Sequence, residues 1–329
     1  MFLAGGNAMS WLSWLWPSRR KAAPVAARSA TPTSATALLS AAPLVPPPTD
    51  DSLRPVLPWL LGSAALTDTT LSKSEQAVLA ALEQTLALPA IPDNLLPRAA
   101  ALIPQLIALV RQTELPVPAI AERVGKDAAL AAELMSLASS AYYRAQGRVA
   151  DLEQAITLVG SWGLQTVIAR VLLKPIYQGS SGPWSARAAP RLWEHSEALA
   201  RHAGTLAPAA GQAAFDGYLA GLLHDTGWTV ALGVIDRAAI PLVASPCATF
   251  ATALDERVRR LFGLAALRWD ITPGFLALAQ DARHNGLVGA KHPLAAVLQQ
   301  AQRQCMDELS PAVSSVKRGV LMAASHDGD

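Results

Sequence analysis

Cysteine is nearly absent: Cys247 and Cys305 are the only two in 329 residues. Two thiols cannot build a disulfide framework, and with no Cys-x-x-Cys pair the sequence offers no zinc knot. The expectation is a reducing, cytoplasmic compartment. Charge of either sign is also thin. Lys and Arg number 27 against 25 Asp and Glu, a net charge of +2, which gives no long-range attraction toward nucleic acid. Arg257, Arg259 and Arg260 gather on one stretch, but Asp255 and Glu256 adjoin them, as on a solvated helix face. No nucleic-acid partner is expected. Long apolar runs are missing too. A membrane span needs about 18 or more consecutive apolar residues. Residues 95–110 are broken by Pro97, Arg98, Pro104 and Gln105, and residues 164–173 carry Gln165 and Arg170. No transmembrane segment is expected. Nor is there a period-two run bounded by turn residues, which removes the sheet.

What is present is helix. Hydrophobic residues make up 51% of the chain, and much of that is alanine, the best helix former. Residues 1–70 are the exception. Their apolar start is followed, not preceded, by Arg19, Arg20 and Lys21, the reverse of a secretory signal. Met9 is a second candidate start. From residue 17 onward Ala, Pro, Ser and Thr dominate, including Pro46-Pro47-Pro48, with no period that would bury enough to offset chain entropy. A disordered tail over 1–70 is expected. Trp11, Leu12, Trp14, Leu15 and Trp16 ahead of Arg19 and Arg20 allow a weak contact with an anionic membrane surface. The competing reading is an unattached tail, since a short segment binds marginally without a second anchor.

Order is expected from residue 71. Ser72 with Glu75 forms a capping-box pattern ahead of Val78, Leu79, Leu82 and Leu86, giving a lead-in helix within 71–87. A break at Leu88-Pro89-Ala90-Ile91-Pro92 opens a helical domain over 88–290, and a C-terminal helix with a short tail fills 291–329. Further helices are expected at 116–124, with Ile120 and Val124 inward; at 128–139, behind an Asp127 N-cap and a Leu130, Leu134, Leu137 stripe; and at 152–159, behind Asp151 and ending at Gly160. The rest fall at 164–173, 190–206, 215–223, 226–235, 248–262, 273–283 and 293–309. The fold class is all-α, in two helical subdomains.

The stretch with chemical content is Leu219-Ala220-Gly221-Leu222-Leu223-His224-Asp225-Thr226-Gly227-Trp228. An apolar helix runs into His224-Asp225, and Gly227 permits a tight turn. A metal site would need further ligands from other helices. His195 lies on an upstream helix with His202 seven residues on, and downstream Asp281 and His284 are three apart, neighbours on one helical face. The bland alternative is equally concrete. His195 and His202 would lie half-exposed on a helix face, His224 would bond a backbone carbonyl, and Asp225 would cap the following helix by accepting its free N–H groups.

His195 followed by His224-Asp225 resembles the metal-binding pattern of the HD phosphohydrolase superfamily. The fuller resemblance is to a relative of that superfamily, the HD-related output domain (HDOD) of bacterial signalling proteins, over about residues 85–290. It rests on Leu88-Pro89-Ala90-Ile91-Pro92, Asp127-Ala128-Ala129-Leu130 continuing to Tyr142, Ala155-Ile156-Thr157-Leu158-Val159-Gly160, Leu192-Trp193-Glu194-His195-Ser196, Ala220 to Gly227, Glu256, and Trp269-Asp270-Ile271-Thr272-Pro273. Ala128 stands where the family usually has proline, Ser139 where it has asparagine, and Asn285 where a second histidine is common.

The resemblance implies a helical scaffold lacking the full metal-ligand set, working by contact with signalling proteins in trans. No cofactor is expected. The alternative it implies is a divergent metal-dependent phosphohydrolase whose divalent ion would sit on His195, His224 and Asp225, with Asp281 and His284 nearby. Two features weigh against that alternative. Relatives acting on cyclic dinucleotides carry Lys where this chain has Trp228, and a Gly-Tyr-Pro motif where it has Gly217-Tyr218-Leu219. Trp184 and Trp228 are the candidate partner contacts; Trp193 and Trp269, at amphipathic helical positions, are expected in the core.

Overall fold

Several of the described helices start where an adjacent side chain accepts from their free N–H groups: Ser72, Asp127, Cys247 and Thr272 each do so. The computed structural model describes residues 56–62, 66–67, 70–96, alternate positions over 102–108, 115–140, 149–178, 182–241, 246–269 and 271–309, with backbone alone at 284 and 285. Most of the expected tail, including the Trp11 to Arg20 membrane contact, lies outside the described residues, as does the end of the C-terminal segment. The elements are α1 (Leu57–Leu61), α2 (Lys73–Leu86), α3 (Val117–Val124), α4 (Ala128–Ala138), α5 (Leu152–Tyr177), α6 (Pro183–Leu206) with a 3-10 turn (Ala207–Ala210), α7 (Ala214–His224), α8 (Thr226–Arg237), α9 (Ala248–Ala266), α10 (Pro273–Gly289) and α11 (Pro293–Leu309). No strand occurs among the described residues; a single bridge joins Thr67 to Cys247. The class is all-α.

The local start signals operate as read. Ser72 and Glu75 form a complete capping box, Asp127 accepts from Ala129 and Leu130 N–H, and Asp151 Oδ1 accepts from Gln154 N–H at 2.8 Å. α5 merges the two helices expected around residues 152–173. It is nevertheless broken at Gly160, whose φ of 68° and ψ of −175° are not helical.

The chain divides into two units. The first contains α3, α4 and α5 as far as Val167; the second contains α1, α2, the rest of α5 and α6 through α11. In the first, Ile120, Val124, Leu130, Leu134, Ala138, Ile156 and Val159 are buried, a stripe recurring every three or four residues. In the second, α6 packs on α7, α9 on α10, and α8 on both α6 and α9, with α11 closing over α6. Leu199, Leu219, Leu222, Leu223, Leu254, Leu261 and Phe275 are fully buried there.

α5 is long and apolar enough, by length and composition, to cross a membrane, and 56% of its most apolar window is buried inside the protein. Every 18-residue window within it contains the Gly160 break. In hydrocarbon that break would leave backbone groups without partners. The helix reads as an interior one.

One boundary differs from expectation. Val56, Leu57, Leu60 and Leu61, inside the segment read as tail, are buried in the second unit. The short helix α1 escaped notice because five residues carry no periodic signal and too few hydrogen bonds to be helical alone.

Candidate functional site

The centre of the second unit holds a polar cluster built from three helices. α6 carries His195 and Ser196, the end of α7 carries His224, and the α7–α8 junction carries Asp225. All four side chains are buried, His195 and Asp225 completely. Asp225 collects them. His195 Nδ1–H donates to Oδ2 at 2.5 Å, Ser196 Oγ–H donates to the same oxygen at 3.0 Å, and His224 Nδ1–H donates to Oδ1 at 2.9 Å. An ionised carboxylate only accepts, so in both rings the proton facing it must sit on Nδ1.

The local geometry explains how adjacent residues share one cavity. Asp225 has φ −78° and ψ 2°, the point where α7 stops and α8 begins in a new direction. Thr226 Oγ1–H donates back to Leu223 O at 2.6 Å, holding the bend. The Asp225 side chain makes no cap bond to α8, which corrects the reading of this residue as a helix cap. His195 is fully buried rather than half-exposed, and His224 bonds a carboxylate rather than a carbonyl. His202, seven residues past His195, turns away to pair with Glu308 Oε2 at 2.8 Å.

Gly227 has a different role from the one expected. It is helical, within α8, and a Cβ there would lie 2.2 Å from Val258 O. The residue is small so that α8 and α9 can approach.

The cluster's electrostatics follow from burial and pairing. Burial opposes a charged imidazole at His195, but the Asp225 carboxylate more than offsets it and holds the ring's pKa well above the ordinary histidine value. Burial likewise opposes the Asp225 carboxylate, and His195 with His224 hold its pKa far below the usual range. His195 Nε2 has no hydrogen-bond partner among the described residues. Below the ring, Cys305 Sγ–H approaches His195 O at 3.7 Å. Tyr177 Oη–H donates to Leu222 O at 2.5 Å, and burial followed by the Asp225 charge pushes its pKa well up.

A second buried carboxylate, Asp255 on α9, adjoins the cluster. Burial raises its pKa against the pull of Arg259, His224, His195 and the Val56 N–H, and Arg259 donates to Oδ2 at 2.6 Å. Sequence reasoning placed Asp255 on a solvated face because three arginines surround it. The available signal was helical phase: Asp255 lies four residues after Ala251 and three before Val258, both buried.

The other expected site residues part company with the cluster. Asp281 accepts from Lys291 N–H at 2.5 Å and His292 N–H at 2.7 Å, fixing the α10–α11 connection. The His284 side chain lies outside the described residues. Trp228, expected as a candidate partner contact, is 1% exposed and belongs to the core, which removes it as one. Trp193 and Trp269 are buried, as expected. Trp184 is half-buried at the first turn of α6.

A divalent ion does not fit this donor set. The one central carboxylate already accepts from three groups, so neither of its oxygens is left uncommitted. Among the described residues no three His, Cys, Asp or Glu side chains are arranged around a common point to hold a metal.

Comparison with solved structures returns matches at low identity. An HDOD domain protein of unknown function from Geobacter sulfurreducens matches with a TM-score of 0.47 and 18% identity, covering 70% of this chain and 78% of that one. A protein from Shewanella amazonensis SB2B, provisionally named a metal-dependent phosphohydrolase, matches with a TM-score of 0.50 and 17% identity, covering 75% and 91%. One from Marinobacter aquaeolei VT8, provisionally named a signal transduction protein, has a TM-score of 0.44 and 20% identity, with 73% of this chain and 56% of that chain covered. No curated protein matches. The HDOD domain model matches residues 96–266, more than half of the sequence and the stretch that holds His195, His224, Asp225 and Asp255. The chain belongs to the HDOD domain family.

Proposed function

We propose that this protein is a non-catalytic regulatory component of bacterial cytoplasmic signalling, acting by contact with signalling proteins in trans through the HDOD region of residues 88–290. The observation that carries this reading is the saturation of Asp225 by His195, Ser196 and His224. A carboxylate committed to three internal donors ties α6, α7 and α8 together. It offers nothing to a substrate unless that framework comes apart. Trp184, half-buried beside the start of α6, remains the candidate partner contact. No cofactor is assigned.

The alternative is a divergent metal-dependent phosphohydrolase, the activity in the provisional name of the Shewanella relative. Hydrolysis of bis(p-nitrophenyl) phosphate with added manganese or iron separates the two. The regulatory reading predicts that wild-type protein and the His224→Ala, Asp225→Ala variant give the same background rate. Metal-dependent turnover by the wild type that disappears in the variant supports the alternative.

A further inference from the structure

A short piece of chain that precedes the HDOD match packs against the polar cluster. α1 is five residues long. Isolated helices of that length do not hold in water, since nucleation fixes several residues for a single bond. Its shape therefore depends on its seat. Leu57, Leu60 and Leu61 are buried, and its terminal carbonyls, which a helix C-terminus leaves unsatisfied, are taken by α6: Arg187 donates to Leu61 O at 2.7 Å and Arg191 to Leu60 O at 3.2 Å. Gly62 caps it in the left-handed region at φ 60°. A Cβ at Gly62 would come within 2.5 Å of the Arg191 guanidinium.

α1 lies beside the histidine. The Trp59 ring, itself half-buried, lies 5.9 Å from the His195 ring, and the Val56 N–H bonds Asp255. His195 is fully buried with Nε2 unpartnered among the described residues. A buried polar nitrogen left without a partner is costly, and the neighbouring Trp59 ring, inclined at 47° to the imidazole, supplies it with no acceptor.

We infer that α1 is an intramolecular plug, seated by Arg187 and Arg191, whose release opens a path to His195 Nε2. The seat on α6 is thus a recognition surface for a short apolar helix with free C-terminal carbonyls, filled in cis by Leu57-Pro58-Trp59-Leu60-Leu61. The inference stands apart from what the cluster does in signalling, because its test reads access to the imidazole ring, neither partner binding nor turnover.

The test incubates the full chain in heavy water and follows deuterium exchange at the imidazole C2 of His195, a reaction that proceeds through the protonated ring, by mass spectrometry, with His202, whose side chain is 26% exposed, as the reference. In the wild type His195 is expected to react at least about ten-fold more slowly than His202, protection of the kind a local opening equilibrium gives. In Arg187→Ala, Arg191→Ala protein that keeps a cooperative thermal transition, the two rates are expected to converge. Persistent protection of His195 in that folded variant, or fast reaction in the wild type, overturns the inference. Should the variant not fold, hydrogen exchange of the wild type decides. Leu60, Leu61 and Gly62 amides exchanging well before those of Val230, Ala231 and Leu232 support a plug; exchange of both sets together shows α1 to be a fixed part of the core.

Discussion

At Asp225 three donors meet one carboxylate, and removing that carboxylate would leave three buried donors without their acceptor. Breaking one side of a buried pair typically costs about 3–5 kcal/mol, so Asp225→Ala is expected to lower the urea midpoint sharply with the native state still all-helical by circular dichroism. The same pair sets the pH response. The Asp225 pKa is depressed on folding, so its contribution is present above the unfolded value of about 3.9 and is lost as pH falls. The His195 pKa is raised, so its contribution is full below the unfolded value of about 6.5 and is lost as pH rises through the folded value. Both operate together between about pH 4 and 6.5. Unfolding free energy measured at pH 5, 7 and 9 is therefore expected to decline from the first to the last in wild type and to decline much less in Asp225→Asn. The raised Asp255 pKa tilts stability in the same direction from the acid side in both proteins. Of these residues, the sequence pointed to His195, His224 and Asp225 because a motif names them. Asp255 was hidden by its arginine neighbours, and the orphaned Nε2 of His195 depends on packing that no spacing reveals.

The helices show which start signals a sequence can display. Ser72, Asp127 and Asp151 cap helices from positions adjacent in sequence, and each was legible. α6 was expected to begin at Pro190 but begins seven residues earlier, because its cap comes from another helix. Asp236, on α8, accepts from Trp184 N–H at 2.9 Å, Ser185 N–H at 3.0 Å and Ser185 Oγ–H at 2.6 Å. With those groups satisfied, Pro190 sits inside the helix at the cost of one bond. Asp236→Ala is expected to cost about 1–2 kcal/mol, the usual worth of a strong cap, read as a urea-midpoint shift with faster exchange of the Trp184 and Ser185 amides. Gly227 makes the opposite point. The sequence suggests a turn glycine, while the structure needs a small residue at the α8–α9 crossing, where a methyl would meet Val258 O. Gly227→Ala is expected to destabilise by about 1–3 kcal/mol through overpacking. Gly211→Ala, where nothing lies within 4 Å of the added carbon, should differ from it by failing only on backbone grounds, since φ there is 70°.

At the level of the molecule, the all-α class and nearly every helix were legible because period and capping are local properties. The seating of the N-terminal segment was not. α1 is held by Arg187 and Arg191, and Thr67 is bonded to Pro246 O and Ala248 N–H. All of those partners lie more than a hundred residues further along the chain. The most HD-like residues of this helical HDOD scaffold form an internal tie between α6, α7 and α8. A partner contact at Trp184 predicts that Trp184→Ala recovers fewer specific proteins from native lysate than wild type; identical recovery removes that residue as an anchor. Asp225 is committed to His195, Ser196 and His224, and the proposed regulatory role requires that it hold no working ion. Metal content of the full chain purified without chelator, measured by inductively coupled plasma mass spectrometry beside Asp225→Ala, tests it most directly. The account predicts substoichiometric metal in both proteins; one or more equivalents of iron, manganese or zinc in the wild type, lost in the variant, would contradict it.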